Sequence, residues 1–262
     1  MKLLAVERIK LFSTRSPYWC LALIFAAALA FALLMGLVTD HGRQFASTGT
    51  SQAGMQLGMM VFMVLAALSV TTEYRFSTIR STFLAAPKRT RVLAAKTVVV
   101  MVVGALIAVV SAFAAFFLTK LLASNPLSPL ELDTVDQWRY VLGNAALYPI
   151  AGVIAISVGL LIRQSAGAIA LLLVWSMLIE SLVALIPRFG PDVSPWLPFT
   201  AAGTFVTDKA AFASMGQGPG NGPFADALKA SGPTPGQGLL VFAGVAVLLW
   251  LIAVVVTNRR DA

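Results

Sequence analysis

Apolar residues along this chain come in long runs, not in the short periodic pattern of a soluble domain. The runs cover 18–38, 53–70, 92–118, 142–162, 167–186 and 239–256, and the only charged residues inside them are Lys96 and Glu180. A hydrocarbon core about 30 Å thick is crossed by roughly 20 such residues in a helix, so each run predicts one membrane span. The predicted fold is an all-α polytopic membrane protein. Residues 1–17 form an N-terminal interfacial helix and residues 18–262 a six-helix transmembrane domain.

The first polar stretch places Ala5, Ile9 and Phe12 at helical spacing, while Leu4 and Leu11 fall on another face. A short helix lying along the membrane interface is the expectation, with a simple polar lead-in as the alternative. Ala-x-Ala patterns follow the first apolar run, but that run is long for a signal peptide and reads as an uncleaved span. Small residues recur at four-residue spacing as Ala22, Ala26 and Ala30, Ala28, Ala32 and Gly36, Gly104, Ala108 and Ala112, and Ala151, Ala155 and Gly159. Such rows let helix backbones approach closely in lipid and predict a tight bundle. Pro149 is expected to bend span 4.

Thr134-Val-Asp-Gln137 is a capping-box pattern that starts a helix running into span 4. Residues 163–166 join spans 4 and 5 as a hairpin. Spans 5 and 6 are separated by 187–238. The apolar, proline-broken part of that interval, 195–206, predicts a re-entrant element, and its Gly/Pro-rich part, 216–238, an outer loop.

Composition agrees: 58% of the residues are hydrophobic, 11% are charged, and the net charge is +8. That charge is unevenly placed. Lys2, Arg8, Lys10, Arg15, the cluster Arg75, Arg80, Lys88, Arg89, Arg91 and Lys96, then Arg163, Arg259 and Arg260 all fall on one side if the N-terminus is inside. The bias gives an N-in, C-in orientation and accounts for the basic balance without nucleic acid as a partner.

Few residues offer chemistry. The single Cys20 reads as a small buried apolar residue, and the single His41 as a solvated loop residue unable to build a metal site or a Ser–His pair. No Gly-Lys-Ser/Thr phosphate loop is present, so the chain does not hydrolyse ATP by that route. Glu180 is the one acid inside a span, ~9 Å from its outer end at helical rise. It either marks a functional site or anchors structure, facing an outer vestibule or capping the re-entrant segment. Gln52 and Gln56 either face a pathway or bond to neighbouring helices. The methionines at 55, 59, 60 and 63 read as packing.

The interval between spans 2 and 3 is richer. Phe76, Ile79 and Phe83 share one helical face, and Ser77, Thr78, Ser81 and Thr82 the other, until Pro87 ends the pattern. A short amphipathic helix there rests on lipid or docks into a groove of a partner.

Glu73-Tyr-Arg-x-x-Thr-Ile-Arg-Ser-Thr82, Pro87 and Ala94-Ala-Lys96 resemble the signature of ABC-2 type permeases, the membrane subunits of a class of bacterial ABC exporters. So do residues 159–170, Trp196-Leu-Pro-Phe-Thr-Ala-Ala202 and the Arg259-Arg-Asp-Ala ending. Ser77 stands where relatives commonly have glycine. The resemblance implies a bacterial inner-membrane permease, paired with a second identical or homologous permease and docked to a separate ABC ATPase subunit. That partner would carry ATP and Mg, and this chain would bind no cofactor and no metal. The loop between spans 2 and 3 would be the coupling helix, with Glu73, Tyr74, Arg75, Phe76, Ile79, Arg80 and Phe83 as contact residues and the N-terminal helix packed beside it. The re-entrant stretch would close an outer gate, with Gln56, Glu180, Trp196 and Phe199 along it or the pathway. The substrate class implied is a drug, lipid or peptide. An ion-coupled secondary transporter is the rival reading, and it would normally bring acids into several spans or matched broken helices.

Overall fold

A computed structural model describes residues 2–39, 46–76, 78, 89–123, 130–187, 189–207 and 232–260. The secondary structure among them is helical throughout. Helix α1 is Lys2–Phe12, α2 Ser16–Thr39, α3 Gly54–Arg75, α4 Arg89–Leu122, α5 Val135–Leu142 and α6 Asn144–Ile162. Beyond the hairpin come α7, Ser165–Val174, a π-helical turn at Trp175–Ile179, and α8, Glu180–Ala184. Then follow α9 at Gly190–Val193, α10 at Pro198–Val206 and α11 at Pro235–Arg260. Six stretches have the length and apolar make-up of membrane spans: Ser16–Thr39, Thr50–Arg75, Arg89–Leu122, Val135–Ile162, Ser165–Ala184 and Pro235–Arg259. The chain thus has the make-up of a multi-pass membrane protein.

α6 is the axis of the bundle and packs against α3, α4 and α11, while α2 packs against α3 and α4. Small residues make this possible. Ala151, Ala155 and Gly159 of α6 are buried, as are Gly104, Ala108 and Ala112 of α4. The Phe62 ring, itself buried, fills the space left by two glycines: a Cβ at Gly104 would lie 2.5 Å from it and one at Gly152 2.9 Å. On α2 the two small-residue rows behave differently. Ala28, Ala32 and Gly36 are buried, whereas Ala22, Ala26 and Ala30 point out of the bundle.

Several elements differ from the sequence pattern. Span 3 extends to Arg89 and Leu122, because Arg89 and Arg91 at one end and Lys120 at the other are compatible with helix outside the apolar run. Span 4 begins early. Thr134 Oγ1 accepts from the Gln137 N–H at 3.3 Å while Gln137 Oε1 accepts from the Thr134 N–H at 2.9 Å, so the capping box is formed and starts α5. Helix α6 continues through Pro149 as one element. Span 5 is not a uniform α-helix, since the π turn interrupts it. Span 6 starts at Pro235, so 235–238 belong to a helix and not to the Gly/Pro loop; proline is favourable in a first helical turn, where its missing N–H has no partner to lose.

Candidate functional site

One end of the bundle gathers four charges from three helices. Glu7 of α1 and Lys96 of α4 are buried, and Glu73 stands at the last turn of α3. Lys96 Nζ lies 2.7 Å from Glu7 Oε2 and 3.0 Å from Glu73 Oε1, and donates to the Ser69 carbonyl at 3.2 Å. It donates hydrogen bonds to Glu73 and Ser69 and meets Glu7 as an ion pair. Lys10 Nζ lies 3.2 Å from Glu7 Oε1 and 3.5 Å from Glu73 Oε1. Two acids and two bases make the cluster neutral, so their mutual attraction offsets part of what their burial costs in lost hydration.

The next residue ties the same turn to the hairpin. The Arg163 guanidinium sits 5.0 Å from the centre of the Tyr74 ring. Arg163 itself takes the left-handed conformation at φ 59°, which ends α6 and aims the chain into α7. Two residues before Glu73, the Ser165 hydroxyl donates to Thr71 Oγ1 at 2.9 Å. The last turn of α3 therefore touches α1, α4 and the α6–α7 hairpin together.

α1 lies against this junction with its acid inward. Glu7 is 3% exposed, while Ile9 is 63% exposed and Leu3, Leu4 and Val6 also face outward. A helix with its charge inside and its aliphatic residues outside suits a surface that meets lipid on the outer face.

At the other end, α10 is held at both termini. Glu180, buried at the start of α8, accepts from the Phe199 N–H at 3.0 Å, the Thr200 N–H at 2.6 Å and the Thr200 hydroxyl at 2.8 Å. Leu197 provides no side-chain cap, so Glu180 supplies from another helix the acceptor that the first turn of α10 needs. At the C-terminal end Arg139 Nη1 donates to the Phe205 carbonyl at 2.9 Å. An anion at the positive end and a cation at the negative end both suit the helix dipole. Trp175, Phe199 and Phe242 stack edge to face, with centroids 5.8 and 5.5 Å apart, joining the π turn, α10 and α11. The cap on the segment before span 6, one of the arrangements expected of Glu180, is formed.

The other sequence candidates are placed as follows. Arg75 and Phe76 are exposed beside the charge junction, the guanidinium 5.7 Å from the ring centre. Ile79, Arg80 and Phe83 lie outside the described residues, as does His41. Phe199 is buried with Glu180, whereas Trp196 and Gln56 are exposed. Gln52 donates to the Ala112 carbonyl at 3.1 Å, a bond to a neighbouring helix. Glu7, Lys10 and Arg139 carry the two assemblies but stood out in no motif. Their only sequence signal was charge at the edge of apolar runs. Among the described residues no group of His, Cys, Asp and Glu has a metal-binding arrangement.

Fold and site together define a class: the described residues are all-helical, with six helices of membrane-spanning length, as in a multi-pass membrane protein. No protein-family model matches the chain, and no curated protein matches it significantly.

Proposed function

We propose that this chain is the membrane subunit of an ATP-driven exporter of the ABC-2 permease kind, N-in and C-in in a bacterial inner membrane. The observation that carries the reading is the junction at the end of α3. Glu73 meets α1 and α4 there, and Tyr74 meets the α6–α7 hairpin. A push on the loop that follows α3 reaches at least four helices through these contacts, which is what coupling to an external motor requires. The resemblance of 73–96 to the coupling segment of such permeases supports the same reading.

The roles within that segment then divide. Glu73 and Tyr74 are engaged inside the protein and transmit motion. Arg75 and Phe76 face outward and make the contact with an ATPase subunit, which holds ATP and Mg. A second permease chain, identical or homologous, completes the pathway, and the cargo is a drug, lipid or peptide. Against the ion-coupled reading, Glu180 spends both carboxylate oxygens on α10.

The test is co-expression with a phosphate-loop ATPase encoded beside this chain. The two are expected to co-purify. Arg75→Ala with Phe76→Ala should abolish ATP-dependent transport in vesicles while the protein stays folded and inserted. Transport by the purified chain alone, driven by a pH gradient in ATP-free vesicles, would rule the reading out.

A further inference from the structure

A cavity of about 530 Å³ opens beside the charge junction, under the turn that links α1 to α2. The size falls in the roughly 300–1,000 Å³ range of small-ligand sites. Its lining is two-sided. Leu65 and Leu68 of α3 and Val99 and Val100 of α4 form an apolar wall that leads toward the middle of the bundle. Below that wall the ring of Phe62 closes the space between α3, α4 and α6. The mouth is polar, with Ser13, Thr72, Glu73 and Lys10.

Beside the ammonium groups of Lys10 and Lys96, three of the polar lining residues offer acceptors. The Ser13 hydroxyl donates to the Lys10 carbonyl at 2.8 Å, and the Thr72 hydroxyl donates to the Leu68 carbonyl at 2.6 Å. Each hydroxyl proton is used, so each offers the cavity an oxygen lone pair. Glu73 directs Oε1 at both lysines, while among the described residues its Oε2 enters no hydrogen bond or ion pair. Two hydroxyl oxygens and one carboxylate oxygen match the three N–H donors of a primary ammonium group. Lys10, whose side chain is 34% exposed, adds a cation at the rim. The cavity also sits where α2 and α4 start and α3 ends, the depth at which lipid headgroups meet helix ends.

We infer that this cavity holds a phospholipid carrying a primary ammonium, as in phosphatidylethanolamine. The ammonium faces Glu73, Ser13 and Thr72, the phosphate faces Lys10, and an acyl chain follows Leu65 and Val100. The inference is independent of the transport reading. A quaternary ammonium has no N–H to give these acceptors. An anionic lipid without the ammonium brings like charge toward Glu73.

The probe is the full-length protein, delipidated in detergent and offered phosphatidylethanolamine, phosphatidylcholine and phosphatidylglycerol of identical chains. Bound lipid is read by native mass spectrometry, and thermal stability is read in parallel. A preference of about tenfold or more for phosphatidylethanolamine over phosphatidylcholine is expected, the size of one charge-assisted hydrogen bond. Val99→Trp and Leu68→Trp fill the apolar wall without touching the charges. Each should remove the preference, and either one that keeps the lipid-free melting temperature suffices for the comparison. Equal binding of the two lipids, stronger binding of phosphatidylglycerol, or a preference that survives in the filled variants would overturn the assignment.

Discussion

Lys96 Nζ lies 2.7 Å from Glu7 Oε2, so the N-terminal helix is fastened to the second turn of α4 by a buried ion pair. The attachment makes α1 part of the bundle and not a loose leader. It also makes Lys96 the residue on which the geometry of that end depends, because Glu73 and the Ser69 carbonyl share the same ammonium.

Replacing Lys96 by Met should therefore destabilise the protein by about 3–5 kcal/mol, since Glu7 and Glu73 then share the partly exposed Lys10 and a buried negative charge is left uncompensated. Glu7→Gln in the same chain should recover a large part of that loss. Thermal unfolding of the purified single and double variants in detergent measures both. An additive pair would mean that the two side chains do not interact.

The clamp on α10 predicts coupled effects at its two ends. Glu180→Gln removes a charged acceptor from three donors, and Arg139→Gln removes the cation at the Phe205 carbonyl. Each should lower stability by about 1–3 kcal/mol. Both act on one short helix, so the double variant should lose less than the two losses together, a departure from additivity that a double-mutant cycle detects.

Tyr148 gives a test of close packing between α3 and α6. Its hydroxyl donates to the Met55 carbonyl at 2.8 Å, and a Cβ at Gly58 would collide with that same oxygen. Tyr148→Phe should cost about 0.5–1.5 kcal/mol. Gly58→Ala should be harmful in the native chain and much less so in the Tyr148→Phe background. Urea-free thermal melts of the four proteins provide the cycle.

Phe62 fills the gap between Gly104 and Gly152. Phe62→Ala should destabilise by about 3–5 kcal/mol through the cavity it leaves. Gly104→Ala should also destabilise, because the ring has nowhere to retreat, and Phe62→Leu should relieve it. Melting temperatures of the three single variants and of the Gly104→Ala, Phe62→Leu pair check the reading.

What could be read in the chain follows from how local each signal is. The six apolar runs are self-contained, and all six appear as helices of spanning length. The Thr134–Gln137 box is equally local and is formed. The rows of small residues showed that close contacts exist. They did not show that Ala28–Ala32–Gly36 would face inward and Ala22–Ala26–Ala30 outward, because an apolar helix in lipid carries no polar side to fix its rotation. Glu7 and Lys96 are invisible as a pair for a different reason. They are far apart in sequence: Glu7 looks like ordinary flanking charge, and Lys96, though inside an apolar run, carries no sign of its partner. The π turn at Trp175–Ile179 has no residue signature, and it rotates everything after it. Glu180 stood out as an intramembrane acid, but its partners are backbone N–H groups, which no side-chain motif reveals.

The ion pair of Glu7 with Lys96 also sets an order of assembly. The acid is synthesised first, and its lysine leaves the ribosome only after two whole spans have been made. Until then α1 has no buried place for its carboxylate, and Leu3, Leu4, Val6 and Ile9 are its exposed apolar residues. Arrival of α4 draws Glu7 inward. Helix α1 is thus locked by the third span, and a chain that stalls before residue 96 leaves α1 undocked.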